Sequence, residues 1–259
     1  EQYLTYLKHL LQGELGISIA YFPQPVGSII STALLWTIFL AGLSLVISFA
    51  IGTLLGTIIA WKRGGKLDSF LPPALAFFGA FPYFWLAMVF LFVFGFGLGW
   101  FPIRHAYGDM VTPGFNLAFI MDALYHAFLP ALTMILVSIG GWMLSMRNTM
   151  ITTLGADYIS FAYAKGLSSR KIMVKYAARN AILPNFTGFG MALGFILSGA
   201  LLTEIIFSYP GQGYLLLEAV RAQDFPLMQG LFMTITLAVL GANWLVDIAI
   251  LFLDPRTRR

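Results

Sequence analysis

The stretch that decides the fold is residues 31–61, which read STALLWTIFLAGLSLVISFAIGTLLGTIIAW. It contains no charged side chain, and it exceeds the roughly 20 apolar residues that a helix needs to cross a bilayer. Its apolar residues form a continuous run and do not alternate with polar ones, as they would in a strand of a membrane barrel. Because lipid offers the backbone no hydrogen-bond partner, this run predicts a membrane-spanning helix.

Four further stretches are candidates for membrane spans, at residues 69–101, 125–146, 181–207 and 227–253. The sequence therefore predicts an all-α membrane protein, a polytopic helical bundle with five spans in this chain. Three prolines, at positions 72, 73 and 82, lie within the second stretch. Each proline removes a backbone donor, so we expect the second span to start late or to bend.

The composition excludes several other classes of protein. Hydrophobic residues make up 59% of the 259 and charged residues 10%, whereas soluble domains carry about 25% charged residues. There is no cysteine, which excludes disulfides and thiolate metal sites. The net charge of +4 does not indicate nucleic-acid binding, because the aromatic residues lie mostly inside apolar runs.

The distribution of cations predicts the orientation. Of the 15 Lys and Arg residues, all but Lys8, Arg104 and Arg221 lie in residues 62–66, in the loop 147–180 or after the last span. The cation-rich side of a membrane protein is cytoplasmic, so we expect a cytoplasmic C-terminus. Five spans then place residue 1 outside, and a chain that begins inside needs one more span before it. We expect residues 1–28 to be an extracytoplasmic segment after that missing span and residues 29–259 to be the transmembrane domain.

The cytoplasmic loop 147–180 is long for a connection between membrane helices. Asp157 is placed to cap a helix that Gly166 can end, and Ser168 or Ser169 can cap a second helix. The loop therefore predicts a helix, a sharp turn and another helix.

The second of these helices is amphipathic. Lys171, Lys175 and Arg179 recur every fourth residue and form a basic ridge beside an apolar stripe. This pattern alone favours a helix that lies on the membrane surface, where its cations meet anionic headgroups, and it does not identify a docking site.

Two stretches of this loop resemble the sequence of a known family. Residues 157–168 read DYISFAYAKGLS and residues 179–184 read RNAILP. This loop resembles the signature loop of the permease subunits of ABC importers, in the dipeptide/oligopeptide/nickel transport family. In the wider superfamily the loop reads Glu-Ala-Ala, three residues, then Gly, and here only Ala162 and Gly166 fit that form. Similar stretches elsewhere extend the resemblance over the whole chain, at 2–4, 13–16, 204–213, 243–247 and 253–256.

The resemblance implies a permease of the type I ABC importer kind, in a prokaryotic cytoplasmic membrane. The implied partners are a second homologous permease subunit, two cytoplasmic ATPase subunits or domains that bind ATP and Mg, an extracytoplasmic substrate-binding protein, and membrane lipid. The implied cargo is peptides or related small solutes. The resemblance assigns contact with the ATPase to five residues of the loop: Ala162, Ala164, Lys165, Gly166 and Leu167. The basic ridge would support them.

The sequence lacks the Gly-x-x-x-x-Gly-Lys-Ser/Thr phosphate loop, so we expect a transport subunit without its own ATPase site. His9, His105 and His126 are scattered without the spacing of metal ligands. We therefore predict no catalytic residue, no metal site and no cofactor in this chain.

Among the polar residues in or near the predicted spans, we single out Glu204, Asn243 and Asp247. Because a charge in the bilayer is costly, we expect Glu204 and Asp247 to be satisfied by neighbouring helices or backbone. An alternative is a secondary transporter driven by an ion gradient, in which these two carboxylates would couple ion movement to transport. A second alternative, a membrane-embedded enzyme, would need a set of catalytic residues that the spans lack. Beyond Glu204, an outer turn with Pro210, Gly211 and Gly213 leads into residues 214–223, for which the sequence is consistent both with a short helix along the outer surface and with a connecting loop.

Overall fold

The computed structural model describes residues 8–10 and 12–253, with the side chains of 194–199, 242, 245–247 and 249–253 left out. Within these residues the secondary structure is helical, and the only β pairing is one isolated bridge between Ile17 and Pro25. The predicted all-helical fold is confirmed.

The helices follow one another along the chain with short connections, except for the loop that precedes α4. Their bounds are α1 Val26–Trp61, α2 Lys66–Gly79, α3 Tyr83–Phe90 with a π-helical continuation Leu91–Gly97, α4 Leu117–Leu154, α5 Asp157–Ala164, α6 Ser169–Lys171 with a π-helical continuation Ile172–Ala178, α7 Arg179–Gly199, α8 Leu201–Ile206, α9 Gln212–Arg221 and α10 Phe225–Leu253.

Two of the described helices, α1 and α4, are each long and apolar enough to cross a membrane. The pair α2 and α3 passes the same test if it forms one broken span, and α10 contains a shorter apolar stretch, Phe225–Gly241. The protein is therefore a multi-pass membrane protein, while the count of five spans stays a prediction.

The bend expected in the second span lies at the third proline. Helix α2 begins at Lys66, earlier than predicted, and runs through Pro72 and Pro73 without a break. The helical path then turns by 92° between α2 and α3. Pro82 stands immediately before α3, where its ring disfavours helical geometry for the preceding residue and its fixed φ suits the first helical turn.

The chain forms two compact units, one of Glu1–Gly42, Ala87–Ala131 and Gly194–Trp244, the other of Leu43–Leu86, Leu132–Leu193 and Leu245–Arg259. In the first unit, the start of α1 packs against α9 and the start of α10 through a buried cluster of Val26, Ile30, Ala33, Leu215, Ala219, Leu227 and Leu231. In the second unit, a cluster that we name the loop core joins the ends of α1 and α4 to the loop helices: Ala60, Met146, Met150, Ile159, Ala162, Ile172, Ala177 and Ala181.

Helices α1 and α4 approach closely within the second unit. A Cβ atom on Gly52 would lie 2.6 Å from Cβ of Trp142, and one on Gly56 would lie 2.8 Å from Cβ of Met146. Real Cβ atoms essentially never come so near, so the two glycines permit this approach.

Candidate functional site

Helix α5 lies in the cytoplasmic loop predicted from the sequence, but no side chain caps its start. The N-cap residue is Ala156, and Asp157 lies in the first turn without a capping hydrogen bond. The predicted capping by Asp157 is therefore wrong. A carboxylate in the first turn still interacts favourably with the positive end of the helix dipole. Ser168 occupies the N-cap position of α6 and likewise makes no side-chain capping bond.

The turn after α5 is a Schellman motif centred on Gly166. Its φ is +68°, the left-handed region that favours glycine. The Gly166 N–H donates to the Tyr163 carbonyl at 2.9 Å, and the Leu167 N–H donates to the Ala162 carbonyl at 3.3 Å. This pair of bonds satisfies carbonyls at the helix end that would otherwise lack partners. The prediction that Gly166 ends the helix is confirmed.

The five residues assigned to coupling do not share one environment. Ala164, Lys165 and Gly166 are exposed, Leu167 is half-buried, and Ala162 is buried in the loop core. In this conformation the Ala162 side chain therefore packs inside the chain and does not form part of the exposed surface.

The exposed surface of α5 is aromatic, and the candidate set from the sequence left these residues out. Phe161 is 68% exposed and Tyr163 is 51% exposed, while Ile159 is buried. Three positions separate Ile159 from Ala162, the spacing of one helix face, so Phe161 between them points away from that face. This spacing could have indicated the exposure of Phe161 but not that of Tyr163, which lies four positions after Ile159.

The segment after the turn carries the basic ridge. Lys171, Lys175 and Arg179 are all exposed, whereas Ile172 and Ala177 are buried in the loop core. This segment passes from α6 through a π-helical stretch into α7 without a break.

The connection between α1 and α2 lies beside an ion pair that the sequence did not predict. The Asp68 carboxylate accepts hydrogen bonds from the Arg147 guanidinium and from the Gly64 backbone N–H. The two charged residues are far apart in the chain, so no local pattern indicates the pair.

In the first unit, Glu204 is buried beside the outer turn. One carboxylate oxygen accepts a hydrogen bond from the Gly213 N–H at 2.7 Å. A Cβ atom on Gly211 would overlap the Glu204 carboxylate, and one on Gly213 would lie 2.5 Å from Cα of Leu201. The expectation that backbone satisfies Glu204 is confirmed for one oxygen, and the turn glycines allow the close approach. Asn243 is half-buried on α10, and the side chain of Asp247 lies outside the described residues.

Asp224 is not among the residues predicted from the sequence, yet it fastens residues 18–20 to α10. Its buried carboxylate accepts hydrogen bonds from the Ser18 hydroxyl, from the N–H groups of Ile19 and Ala20, and from the N–H of Leu227 in the first turn of α10. Burial raises the pKa of Asp224, but these bonds outweigh it and hold the pKa below its ordinary value.

Replacing Asp224 with asparagine is expected to lower the Tm of the purified protein by several degrees near neutral pH, because charge-assisted hydrogen bonds are lost. A depressed pKa contributes stability above the ordinary value of 3.8, and that stability is lost as the pH falls through the folded-state value. The Tm difference should therefore be constant from about pH 5 to 8 and shrink at lower pH. Thermal unfolding across pH checks this, with exposed Asp109→Asn as the control. An equal Tm loss in both variants would contradict the role of the Asp224 carboxylate in holding residues 18–20 to α10.

Residues 52–259 match the family of binding-protein-dependent transport system inner membrane components. The chain belongs to this family, the permease subunits of ABC importers, which carry no ATPase site of their own. It is therefore a transport subunit and not an enzyme, and the ion-gradient alternative receives no support.

Particular relatives cover almost the whole chain. A Brucella suis protein named as a peptide permease is 37% identical over 258 residues, which are 99% of this chain and 79% of that protein. The di/tripeptide transport system permease protein of Pseudomonas aeruginosa is 33% identical over 273 residues, covering 100% of this chain and 80% of its own. The oligopeptide transport system permease protein of Bacillus subtilis is 30% identical over 256 residues, with shares of 98% and 79%.

Among the residues that the structure describes, no three His, Cys, Asp or Glu side chains come together in a way that would hold a metal ion.

Proposed function

We propose that this chain forms half of the translocation pathway of an ABC importer for peptides or related small solutes. The names of the three relatives, all peptide permeases, support the substrate class. The proposed assembly contains a second homologous permease, two cytoplasmic ATPase subunits that bind ATP and Mg, and an extracytoplasmic substrate-binding protein that delivers the cargo.

The proposed topology has five spans in this chain and a cytoplasmic C-terminus. Helices α1 and α4 and the bent pair α2 and α3 support three of these spans. The cation distribution supports the orientation. Residues 1–28 are then an extracytoplasmic segment, and residues 29–259 form the transmembrane domain with the coupling loop at 147–180 and an outer loop at 208–226.

Helix α5 and its Gly166 turn are the proposed contact with the ATPase. The observation that carries this proposal is that α5 exposes aromatic side chains while other side chains of the same helix are buried in the loop core. Exposed Phe161 and Tyr163 offer apolar surface to a groove, and Lys165 adds a charge beside them. Aromatic residues of this kind are typical anchors at the centres of interfaces.

The buried side of α5 provides the route by which movement reaches the spans. Ile159 and Ala162 pack in the loop core with Met146 and Met150 of α4 and Ala60 of α1. Packed cores shift as units and do not deform continuously, so displacement of α5 would be passed on to the ends of α1 and α4. The ridge of Lys171, Lys175 and Arg179 is free to contact lipid headgroups and support α5.

The test uses uptake of a labelled tripeptide by sealed cells that express the complete transporter. Depleting ATP while an ion gradient is maintained is expected to abolish uptake, because the driving energy comes from ATP. Uptake that persists without ATP would overturn the assignment. The variant Phe161→Asp is expected to reduce uptake strongly with the complex still in the membrane, whereas Phe115→Asp, at a fully exposed residue outside the loop, should not. Equal losses would contradict docking through α5.

A further inference from the structure

Polar atoms without protein partners are concentrated between positions 203 and 212. The hydroxyls of Thr203 and Tyr209, one carboxylate oxygen of Glu204 and both amide atoms of Gln212 are buried and make no hydrogen bond. Elsewhere in the described residues, the one such side-chain atom is Oδ1 of Asn185. Because the large majority of buried polar atoms in proteins have partners, four such side chains in one short stretch need a physical explanation.

The backbone around these side chains is already engaged. The Tyr209 N–H donates to the Glu204 carbonyl at 2.8 Å, and the Gln212 N–H donates to the Thr37 hydroxyl at 2.8 Å. The Trp36 ring meets the Tyr209 ring edge-on, with centroids 5.8 Å apart. The other oxygen of Glu204 accepts a hydrogen bond from the Gly213 N–H, and the Thr37 hydroxyl and the Tyr214 N–H also bond to this carboxylate. These contacts tie the stretch to α1 and to α9. The buried atoms that still lack a hydrogen-bond partner therefore belong to side chains.

The mixture of donors and acceptors identifies the kind of ligand. Glu204 and Gln212 offer acceptor oxygens, the Gln212 amide nitrogen is a donor, and the hydroxyls of Thr203 and Tyr209 can act either way. A cation binds oxygen ligands and would leave the amide donor unsatisfied. A water molecule donates and accepts, and a buried water typically makes about three hydrogen bonds.

We propose that these four side chains form an internal hydration site in which ordered water bridges Glu204, Tyr209, Gln212 and Thr203. The bridging water fastens the outer turn and the start of α9 to α8, in addition to the direct bond from the Gly213 N–H to Glu204. It also hydrates the one oxygen of Glu204 that the backbone does not reach. This inference is independent of the transported substrate and of the coupling loop.

The test measures the Tm of the full chain, purified with its partner subunits, after Tyr209→Phe and Gln212→Met. If water bridges these groups, each substitution breaks hydrogen bonds and lowers the Tm, by about 2–4 °C for each net bond. If the groups are dry, each substitution removes a buried polar atom that has no partner, and the Tm rises. A rise would overturn the proposal. Half-buried Tyr107, which stacks on Trp36, supplies the control Tyr107→Phe, with no change expected.

Two further measurements distinguish water from other occupants. The double variant should lose less Tm than the sum of the single variants, because both remove bonds to the same water. Additive losses would contradict a shared bridge. Exchange of sodium for potassium or lithium at constant ionic strength should leave the Tm unchanged. A Tm that depends on the cation in the unmodified protein but not in Gln212→Met would show a cation site and overturn the proposal.

Discussion

Replacing Gly166 with valine is expected to reduce ATP-driven uptake about tenfold, with the complex still assembled. At a φ of +68° an L-residue costs about 1–2 kcal/mol, and β-branched residues are genuine outliers there. Nothing lies within 4 Å of a Cβ atom placed on Gly166, so the effect comes from backbone strain and not from a clash. A strain of about 1.4 kcal/mol shifts the ratio of the native turn to alternative conformations about tenfold, and uptake falls by a comparable factor when those alternatives lie close in energy to the native turn.

The measurement is peptide uptake alongside ATP hydrolysis in the same membranes. Asparagine tolerates left-handed geometry better than other residues, so Gly166→Asn is the matched control and should keep most uptake. In Gly166→Val, hydrolysis should continue while uptake falls, because the ATPase pair still closes without moving the spans. Normal uptake in the valine variant would show that this turn does not couple the two activities.

Replacing Gly56 with leucine is expected to prevent accumulation of folded protein. A Cβ atom there would lie 2.5 Å from the Met143 carbonyl oxygen and 2.8 Å from Cβ of Met146. The nearest of these is backbone of α4, which cannot rotate away, so α1 and α4 must separate. Even modest overpacking of a core costs about 1–3 kcal/mol, and a leucine adds several atoms at this point.

The same helix provides the control for this prediction. Gly42 also lies within α1, yet nothing lies within 4 Å of a Cβ atom placed on it. Gly42→Leu should therefore fold, and the better helix propensity of leucine should offset the larger side chain. Membrane yield and elution as a single species from a gel-filtration column are the measurements. Folded Gly56→Leu protein with an unchanged Tm would show that the close approach is not required.

Several features of this protein follow from its sequence because their causes are local. The apolar runs at 31–61 and 125–146 appear as the long helices α1 and α4, since backbone groups in lipid must bond within one segment. The end of α5 at Gly166 follows from the conformational freedom of glycine. The resemblance of the loop at 157–168 identified the family, which the match over residues 52–259 confirms.

Other features could not be predicted because they depend on which distant segments meet. Nothing near Asp224 in the chain indicates that its carboxylate holds the backbone of Ile19 and Ala20. The pairing of Asp68 with Arg147 has the same character. Each of these contacts joins segments that are far apart in the sequence and that only the fold brings together.

The sequence by itself therefore determined the helical membrane class, the positions of the main helices and the turn at Gly166. These properties depend on residue type and on periodicity along one segment. The tertiary structure alone decided that Ala162 packs inward while Phe161 is exposed, and that Glu204 lies buried against the outer turn. Burial and hydrogen-bond partners are properties of packed surfaces from several segments, and one stretch of sequence does not contain them.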